Sequence, residues 1–195
     1  MEQSQARGIE QEELQKRLDR VIGWINNCDQ KASILLAFVG VAFPLLFSSD
    51  FVPRAYKTLF PPFLQFWEKG EGAFSVMRAL CFFFVLLSIW FVGKSVYCLL
   101  KTLSGRISIS DFKAQGLPEK SLIFFGSISK MEYQEYKKAL ENPSKDLAIE
   151  EDLASQLYVN SKICADKFDS YNKALSFFSW GMLFLCLTYV SLLFV

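Results

Sequence analysis

Histidine is absent from the 195-residue sequence. It is the side chain whose charge changes nearest neutral pH, a common general base and the commonest metal ligand, so its absence removes the usual catalytic triads and most zinc sites. The five cysteines lie at positions 28, 81, 98, 164 and 186 and form no C-x-x-C pair. This spacing argues against a zinc site or a disulfide framework, and we expect no metal site.

The sequence also lacks an excess of either charge. It carries 21 Lys and Arg against 20 Asp and Glu, a net charge of +1, so no overall field draws the chain onto nucleic acid. It contains no phosphate-binding P-loop, no dinucleotide fingerprint, no nucleophile elbow and no H-E-x-x-H. We therefore expect no catalytic residues, and any anion site must be a local cluster.

Apolar residues are abundant and collected in blocks. The chain is 52% hydrophobic and contains 20 Phe, yet 21% of it is charged. About 20 apolar residues cross the roughly 30 Å of hydrocarbon in a bilayer. Three stretches approach or exceed this length, at 32–49, 79–100 and 174–195, with Lys94 as the one charge among them. The sequence therefore predicts an all-α integral membrane protein with three transmembrane helices, and the polar residues 1–31 before the first stretch do not fit a cleaved signal peptide.

The positive charges predict the orientation. Five Lys or Arg lie in residues 1–31 and eleven in 101–173, but only four in 50–78. The positive-inside rule places the first two segments in the cytosol. We therefore expect a cytosolic N-terminal helix at 1–31, an outer interfacial loop rich in proline and aromatic residues at 50–78, a helical, ligand-sensing cytosolic region at 101–173, and the C-terminus outside.

Two helices are predicted to enter the membrane without a break, because apolar residues alternate in steps of four and three. The first helix should run from about residue 9 to Phe43, bent near Pro44. The seam of this first helix contains Leu14, Leu18, Val21, Ile25, Cys28, Ala32 and Leu35. The seam of the last helix contains Leu157, Ser161, Cys164, Phe168, Tyr171, Leu175, Phe178, Met182, Leu185, Tyr189 and Leu192. Such seams are explained equally by ordinary packing and by transmission of motion from the cytosol.

Shorter elements are predicted inside the 101–173 region. Residues 127–140 favour a helix with a capping box of Ser129 and Glu132, and residues 122–126 favour a short buried strand or turn. The acidic run Glu150, Glu151 and Asp152 points in three directions on a helix. It is therefore interpreted as favourable charge near a helix N-terminus rather than as a metal site.

Basic residues with aromatic neighbours are the candidate ligand site. Phosphate binding needs cationic or backbone donors, and a base needs a planar surface on which to stack. The predicted ligand-binding residues are Lys130, Tyr133, Lys137, Tyr158, Lys162 and Lys167. The alternative is that these lysines are solvated or held in ion pairs such as Lys162 with Asp166. If they are not the site, the next candidates are Arg20, Lys31 and Arg106.

Three segments resemble a known family. They are N-C-D-Q-K-A-S-I-L-L-A-F at 27–38, L-I-F-F-G-S-I-S-K at 122–130 followed by Tyr133 and Tyr136, and L-Y-V-N-S-K-I-C-A-D-K-F-D-S-Y-N-K-A-L at 157–175. Together, in this order relative to the spans, they are similar to membrane effectors of the Pycsar antiphage type. The outer loop is longer and more aromatic than that family implies.

The resemblance implies a function that the residues alone do not. It implies an antiphage effector of the cell inner membrane, paired with a nucleotidyltransferase or cyclase, that binds a nucleotide signal in the cytosol and depolarises the infected cell. It leaves open a cyclic mononucleotide, a cyclic oligonucleotide or a linear oligomer as the ligand, and no other cofactor is expected.

A pore would need several copies of the chain, because three spans enclose no water-filled path. We therefore expect a homo-oligomer that forms an ion channel or disrupts the bilayer, with close contacts at Gly40, Gly181, Ser33, Ser176 and Ser179. The rival interpretations are a non-gated membrane anchor or scaffold that recruits a soluble partner, and an integral-membrane enzyme.

Overall fold

The computed structural model describes residues 2–69, 76–105, 121–142 and 145–193. Within these ranges the chain forms six helices and no strand. The helices are α1 (Glu2–Ser48), α2 (Phe51–Lys69), α3 (Val76–Leu103), α4 (Phe125–Ile128), α5 (Tyr133–Glu141) and α6 (Lys145–Ser191). The predicted all-α class is confirmed.

Three of the helices are long and apolar enough to cross a membrane. The candidate spans lie within Glu10–Leu46 of α1, Val76–Leu103 of α3 and Leu147–Ser191 of α6. Each overlaps one of the three apolar stretches of the sequence, and the chain is therefore a multi-pass membrane protein. Which side of the membrane each polar segment occupies stays a prediction.

The continuous helix predicted from residue 9 is confirmed and is longer than expected. Helix α1 passes through Pro44 and ends at Ser48, as apolar spanning helices tolerate proline when the freed backbone groups find other partners. Its polar part is supported by ion pairs one turn apart, Lys16 with Glu12 at 2.6 Å and Arg17 with Glu13 at 3.0 Å.

The chain divides into two compact units. One unit contains Met1–Cys28 and Ser104–Lys167, and the other contains Asp29–Leu103 and Phe168–Val195. The segment boundaries that hydropathy predicts at residues 32, 50, 79, 101 and 174 stay predictions.

In the second unit, α3 and α6 pack antiparallel through a ladder of small residues. Three side chains of α3, seven residues apart, donate to main-chain oxygens of α6, which also lie seven residues apart. The pairs are Ser95 Oγ to Ala174 O at 2.9 Å, Ser88 Oγ to Gly181 O at 3.0 Å, and Cys81 Sγ to Thr188 O at 3.9 Å. Small residues let helix backbones approach closely in a membrane, and hydroxyl groups then bond across the gap.

Over residues 174–189 the seam predicted for α6 is displaced by one residue, whereas the predicted Leu192 is buried, 6% exposed. The buried positions are Ala174 and Thr188, 0% and 1% exposed, whereas the predicted Leu175 and Tyr189 are 43% and 58% exposed. The prediction assumed that the apolar side chains are the buried ones, which holds for a protein surrounded by water. In lipid the apolar side chains can face the hydrocarbon, and small or hydroxyl residues mark the packed face instead.

The segment predicted as an outer interfacial loop contains helix α2, which includes Pro53, Pro61 and Pro62. One face of α2 packs inside the second unit, where Leu59 is 4% exposed and forms a cluster with Cys81 and Leu192. Tyr56 and Phe60, one turn apart, are exposed and stack with ring centroids 5.3 Å apart. A position at the lipid headgroups stays a prediction.

In the first unit, the single helix predicted at 127–140 is wrong, because the chain breaks between α4 and α5. Ser129 ends α4, and its Oγ donates to Gly126 O at 3.3 Å rather than capping the next helix. Glu132 precedes α5 in an extended conformation and makes no side-chain cap bond. The predicted capping box is therefore also wrong. The residues before α4 form a turn rather than a strand.

Candidate functional site

A buried carboxylate organises the first unit. Asp152 lies on α6 and is 3% exposed. Its Oδ2 accepts hydrogen bonds from Ser121 Oγ at 2.8 Å, from Leu122 N at 2.7 Å and from Ile123 N at 3.0 Å. The turn that leads to α4 is thus anchored to α6, 30 residues further along the chain. Three hydrogen bonds from one turn to a single oxygen of Asp152 fix that turn against α6.

Ser121 completes the anchor from the other side. It is 5% exposed, and its Oγ accepts from Phe124 N at 2.7 Å and from Ile123 N at 3.2 Å while donating to Asp152. Three successive backbone N–H groups of the turn are therefore satisfied by two side-chain groups. A turn held in this way is a rigid wall.

The other oxygen of this carboxylate is not used within the described part of the chain. Asp152 Oδ1 is buried and accepts no hydrogen bond there. Buried polar atoms in native proteins nearly all have a partner, and an exception calls for a physical explanation such as strain or an ordered water or ion.

Asp152 also lines a cavity of about 240 Å³. The walls combine apolar and acidic side chains: Leu122, Met131, Glu135, Ala139, Ala148, Glu151 and Asp152. These come from the anchored turn, from α5 and the residues before it, and from the first turns of α6. No group of three or more His, Cys, Asp or Glu suited to a metal ion occurs in the described ranges.

Among the residues predicted to bind a ligand, Tyr158 and Lys162 are brought together. Lys162 Nζ lies 4.7 Å from the centroid of the Tyr158 ring, which is a cation–π contact on α6. Tyr158 is 48% exposed and follows Glu151 of the cavity wall by two helical turns, on the same face of α6. A planar ring with a cation beside it is accessible here, close in sequence to the cavity.

Tyr133 and Lys137 share a face of α5, one turn apart, and both are exposed. Lys137 forms a 3.8 Å ion pair with Glu141. Glu135 and Ala139 each follow one of these residues by two positions. Because each residue advances a helix by about 100°, they lie about 160° around α5 from this face. Tyr133 and Lys137 therefore do not line the cavity.

The two remaining lysines of the predicted set lie apart from these pairs. Lys130 is exposed in the turn between α4 and α5, where its backbone N donates to Ser127 O at 3.1 Å. Lys167 is only 5% exposed on α6. Of the second choices, Arg20 and Lys31 are exposed on α1, and Arg106 lies outside the described residues. Ligand binding by any of them stays a prediction.

Sequence reasoning missed Asp152 by interpreting the acidic run as favourable charge near a helix N-terminus, whereas α6 begins at Lys145, about two turns earlier. A signal was present, because Asp152 shares a helix face with Gln156 and Val159, which are also buried. An acid in phase with a buried helix face needs a partner.

A family model described as the Pycsar effector protein domain matches residues 13–195. Among curated proteins, the chain is similar to the Pycsar effector protein GmPycTM of Gulbenkiania mobilis, with 30% identity over 174 residues. The alignment covers 85% of this chain and 84% of that protein. No solved structure matches the chain.

Proposed function

Because the chain belongs to the family of Pycsar effector proteins, which are antiphage defence effectors, we propose that it is an inner-membrane effector whose action is controlled by a nucleotide bound in the cytosol. The resemblance inferred from the sequence is correct at the level of the family. When the nucleotide is bound, several copies of the chain open a pore or disrupt the bilayer, and the cell loses its membrane potential. The protein acts without catalysis.

One observation carries this proposal beyond family membership. Helix α6 runs without interruption from Lys145 to Ser191 and contains both the Tyr158–Lys162 pair and a candidate membrane span. A ligand changes an equilibrium only through its different affinity for the two states. A nucleotide that binds Tyr158 and Lys162 more tightly in one state than in the other shifts the equilibrium towards that state. The helix that carries both residues continues into the apolar segment.

The residues of the pair have separate roles in this proposal. Lys162 supplies a cation for phosphate, and the exposed ring of Tyr158 supplies a surface for a base or sugar. Both side chains are exposed on α6, so we expect substitution there to change binding more than folding.

Release of a trapped dye from liposomes that contain the purified full chain tests the proposal. Nucleotides are added as cyclic mononucleotides, cyclic dinucleotides and linear oligomers. Lys162→Glu reverses the charge at the site, and Lys57→Glu makes the same change at an exposed position of α2. Loss of a charged hydrogen bond lowers affinity about ten- to a hundredfold, so the nucleotide concentration for half-maximal release should rise by that factor in Lys162→Glu alone.

Two results would contradict the proposal in different ways. Dye release that no nucleotide alters would favour a non-gated anchor or scaffold. Nucleotide control that survives charge reversal at Lys130, Lys137 and Lys162 alike would remove these lysines from the site and direct attention to Arg20 and Lys31.

A further inference from the structure

Helix α2 is held at one end of the membrane-spanning part of the second unit. Leu59 of α2 is 4% exposed and packs with Cys81 and Leu192. Cys81 lies near the start of the apolar stretch at 79–100, and Leu192 lies near the end of the stretch at 174–195. At this level the hydrocarbon of a bilayer gives way to the headgroups, so α2 has the contacts of an interfacial helix.

The exposed part of α2 separates aromatic from basic side chains. Because each residue advances a helix by about 100°, Tyr56 and Phe60 lie about 60° and 100° around α2 from the packed Leu59. In the same direction, Lys57 and Arg54 lie about 160° and 220° from it. All four side chains are exposed, and the two aromatic rings stack with centroids 5.3 Å apart. The aromatic pair therefore lies between the packed face and a basic edge formed by Arg54 and Lys57.

The basic edge carries two positive charges close together. Residues 51–67 contain no Asp or Glu, and Glu68 follows Lys57 by about 16 Å along the helix axis. Arg54 and Lys57 form no ion pair with another described residue. A phosphate group offers several acceptor oxygens to two such cations, and bonds between ionised partners are the strong ones.

The aromatic pair distinguishes a phospholipid from a soluble anion. A free phosphate would contact the cations alone and would leave the exposed rings without a role. A phospholipid presents a phosphate together with an apolar body, which matches a basic edge beside two rings. Interfacial helices bind membranes in this way, with aromatic side chains at the acyl boundary and Lys or Arg at anionic headgroups.

We propose that α2 is a docking surface for an anionic phospholipid. Arg54 and Lys57 bind the headgroup phosphate, and Tyr56 and Phe60 rest against the glycerol and the upper part of the acyl chains. Because Leu59 of the same helix packs against both α3 and α6, the docked lipid also holds α2 against the ends of the spans.

Native mass spectrometry of the purified full chain tests this proposal. The protein is titrated in detergent with phosphatidylglycerol or with phosphatidylcholine of identical acyl chains, and the spectra give the number of bound lipids and the dissociation constant of each lipid. Phosphatidylglycerol carries a net negative charge, whereas the choline group offsets the phosphate of phosphatidylcholine. We expect the wild-type chain to bind phosphatidylglycerol at least about fivefold more tightly.

Single substitutions separate charge from apolar contact. One cation near anionic headgroups contributes about fivefold, so Arg54→Gln and Lys57→Gln should each lower the affinity for phosphatidylglycerol by about that factor and leave phosphatidylcholine unchanged. Lys138→Gln makes the same change at an exposed position of α5 in the first unit and should alter neither affinity. Phe60→Ala should weaken both lipids alike, because it removes apolar contact rather than charge.

The same spectra distinguish the other occupants of this surface. Equal wild-type affinity for the two lipids, or a preference that survives the loss of both Arg54 and Lys57, overturns the inference. Displacement of phosphatidylglycerol by excess inorganic phosphate also overturns it and indicates a soluble anion. A change of oligomer mass in the two Gln variants with bound lipid unchanged overturns it in favour of contact between copies. The measurement uses no nucleotide, so each of these results leaves the proposed function standing.

Discussion

Replacement of Gly181 by alanine should separate α3 from α6. A Cβ atom at Gly181 would lie 2.7 Å from Val92 Cγ2 and 3.2 Å from the backbone N of Val92. Carbon atoms pack best at about 3.5–4.0 Å. The valine side chain can rotate away, but the backbone nitrogen can move only if the whole of α3 shifts.

The magnitude follows from these contacts. Overpacking a close interface costs about 1–3 kcal/mol. Gly181 O also accepts the 3.0 Å hydrogen bond from Ser88 Oγ, and a bond of this kind in a membrane contributes about 0.6 kcal/mol, which a displaced helix weakens. Alanine recovers about 0.5–1 kcal/mol of helix propensity. The free energy of unfolding should therefore fall by about 0.6–3 kcal/mol.

Titration with sodium dodecyl sulfate in mixed micelles, followed by circular dichroism, measures this change. Gly93→Ala is the matched control, because a Cβ at Gly93 on α3 has no atom within 4 Å in the described residues. It should be neutral or stabilising. Val92→Ala removes the Cγ2 contact, so its combination with Gly181→Ala should cost less than the sum of the two single variants. Equal stability of Gly181→Ala and Gly93→Ala would refute the close packing of α3 on α6.

Two further predictions concern the ladder and the topology. Ser95→Ala should lower the free energy of unfolding, measured by the same titration, by about 0.6 kcal/mol and by no more than about 1.7 kcal/mol. Ser179→Ala is the control: it loses only a bond within its own helix and should change the free energy of unfolding less. In a cysteine-free chain, a cysteine at Lys57 should react with an impermeant maleimide in intact spheroplasts, and a cysteine at Lys138 only after permeabilisation. The reverse labelling pattern would overturn the predicted orientation.

The close contact at Gly181 also revises an expectation about assembly. Gly181 was predicted, with Gly40, to allow contact between copies of the chain. It is buried against Val92 of the same chain, so it is not available to another copy in this conformation. Gly40 is exposed and has no atom within 4 Å of its Cβ position in the described residues. Assembly as a homo-oligomer stays a prediction.

The continuity of α1 and of α6 could be predicted from the sequence because the signal is local. Apolar periodicity and i, i+4 pairs such as Glu12 with Lys16 act within one helix, and no Gly–Pro cluster interrupts α1 or α6. The packed face of α6 could not be predicted in the same way. Leu175 is more apolar than Ala174, yet Ala174 is buried, because lipid solvates leucine and packing selects small residues.

The cavity could not be predicted because its organising contacts join distant parts of the chain. Asp152 binds the turn at Ser121, Leu122 and Ile123 across 29 to 31 residues. Nothing in the adjacent acids distinguishes Asp152 until its phase with the buried face of α6 is considered. By contrast, the contact of Lys162 with Tyr158 follows from their spacing of four residues, which places them one above the other on a helix.

The most direct measurement of nucleotide control is the conductance of a planar bilayer that contains the purified full chain. The baseline is recorded first, and cyclic mononucleotides, cyclic dinucleotides and linear oligomers are then added in turn to the side that exposes Lys162. We predict that one of these nucleotides changes the conductance reversibly and that Lys162→Glu shifts the effective concentration about ten- to a hundredfold. A conductance that stays at the protein-free level with every nucleotide, in protein shown to be folded and inserted, would contradict the proposed function.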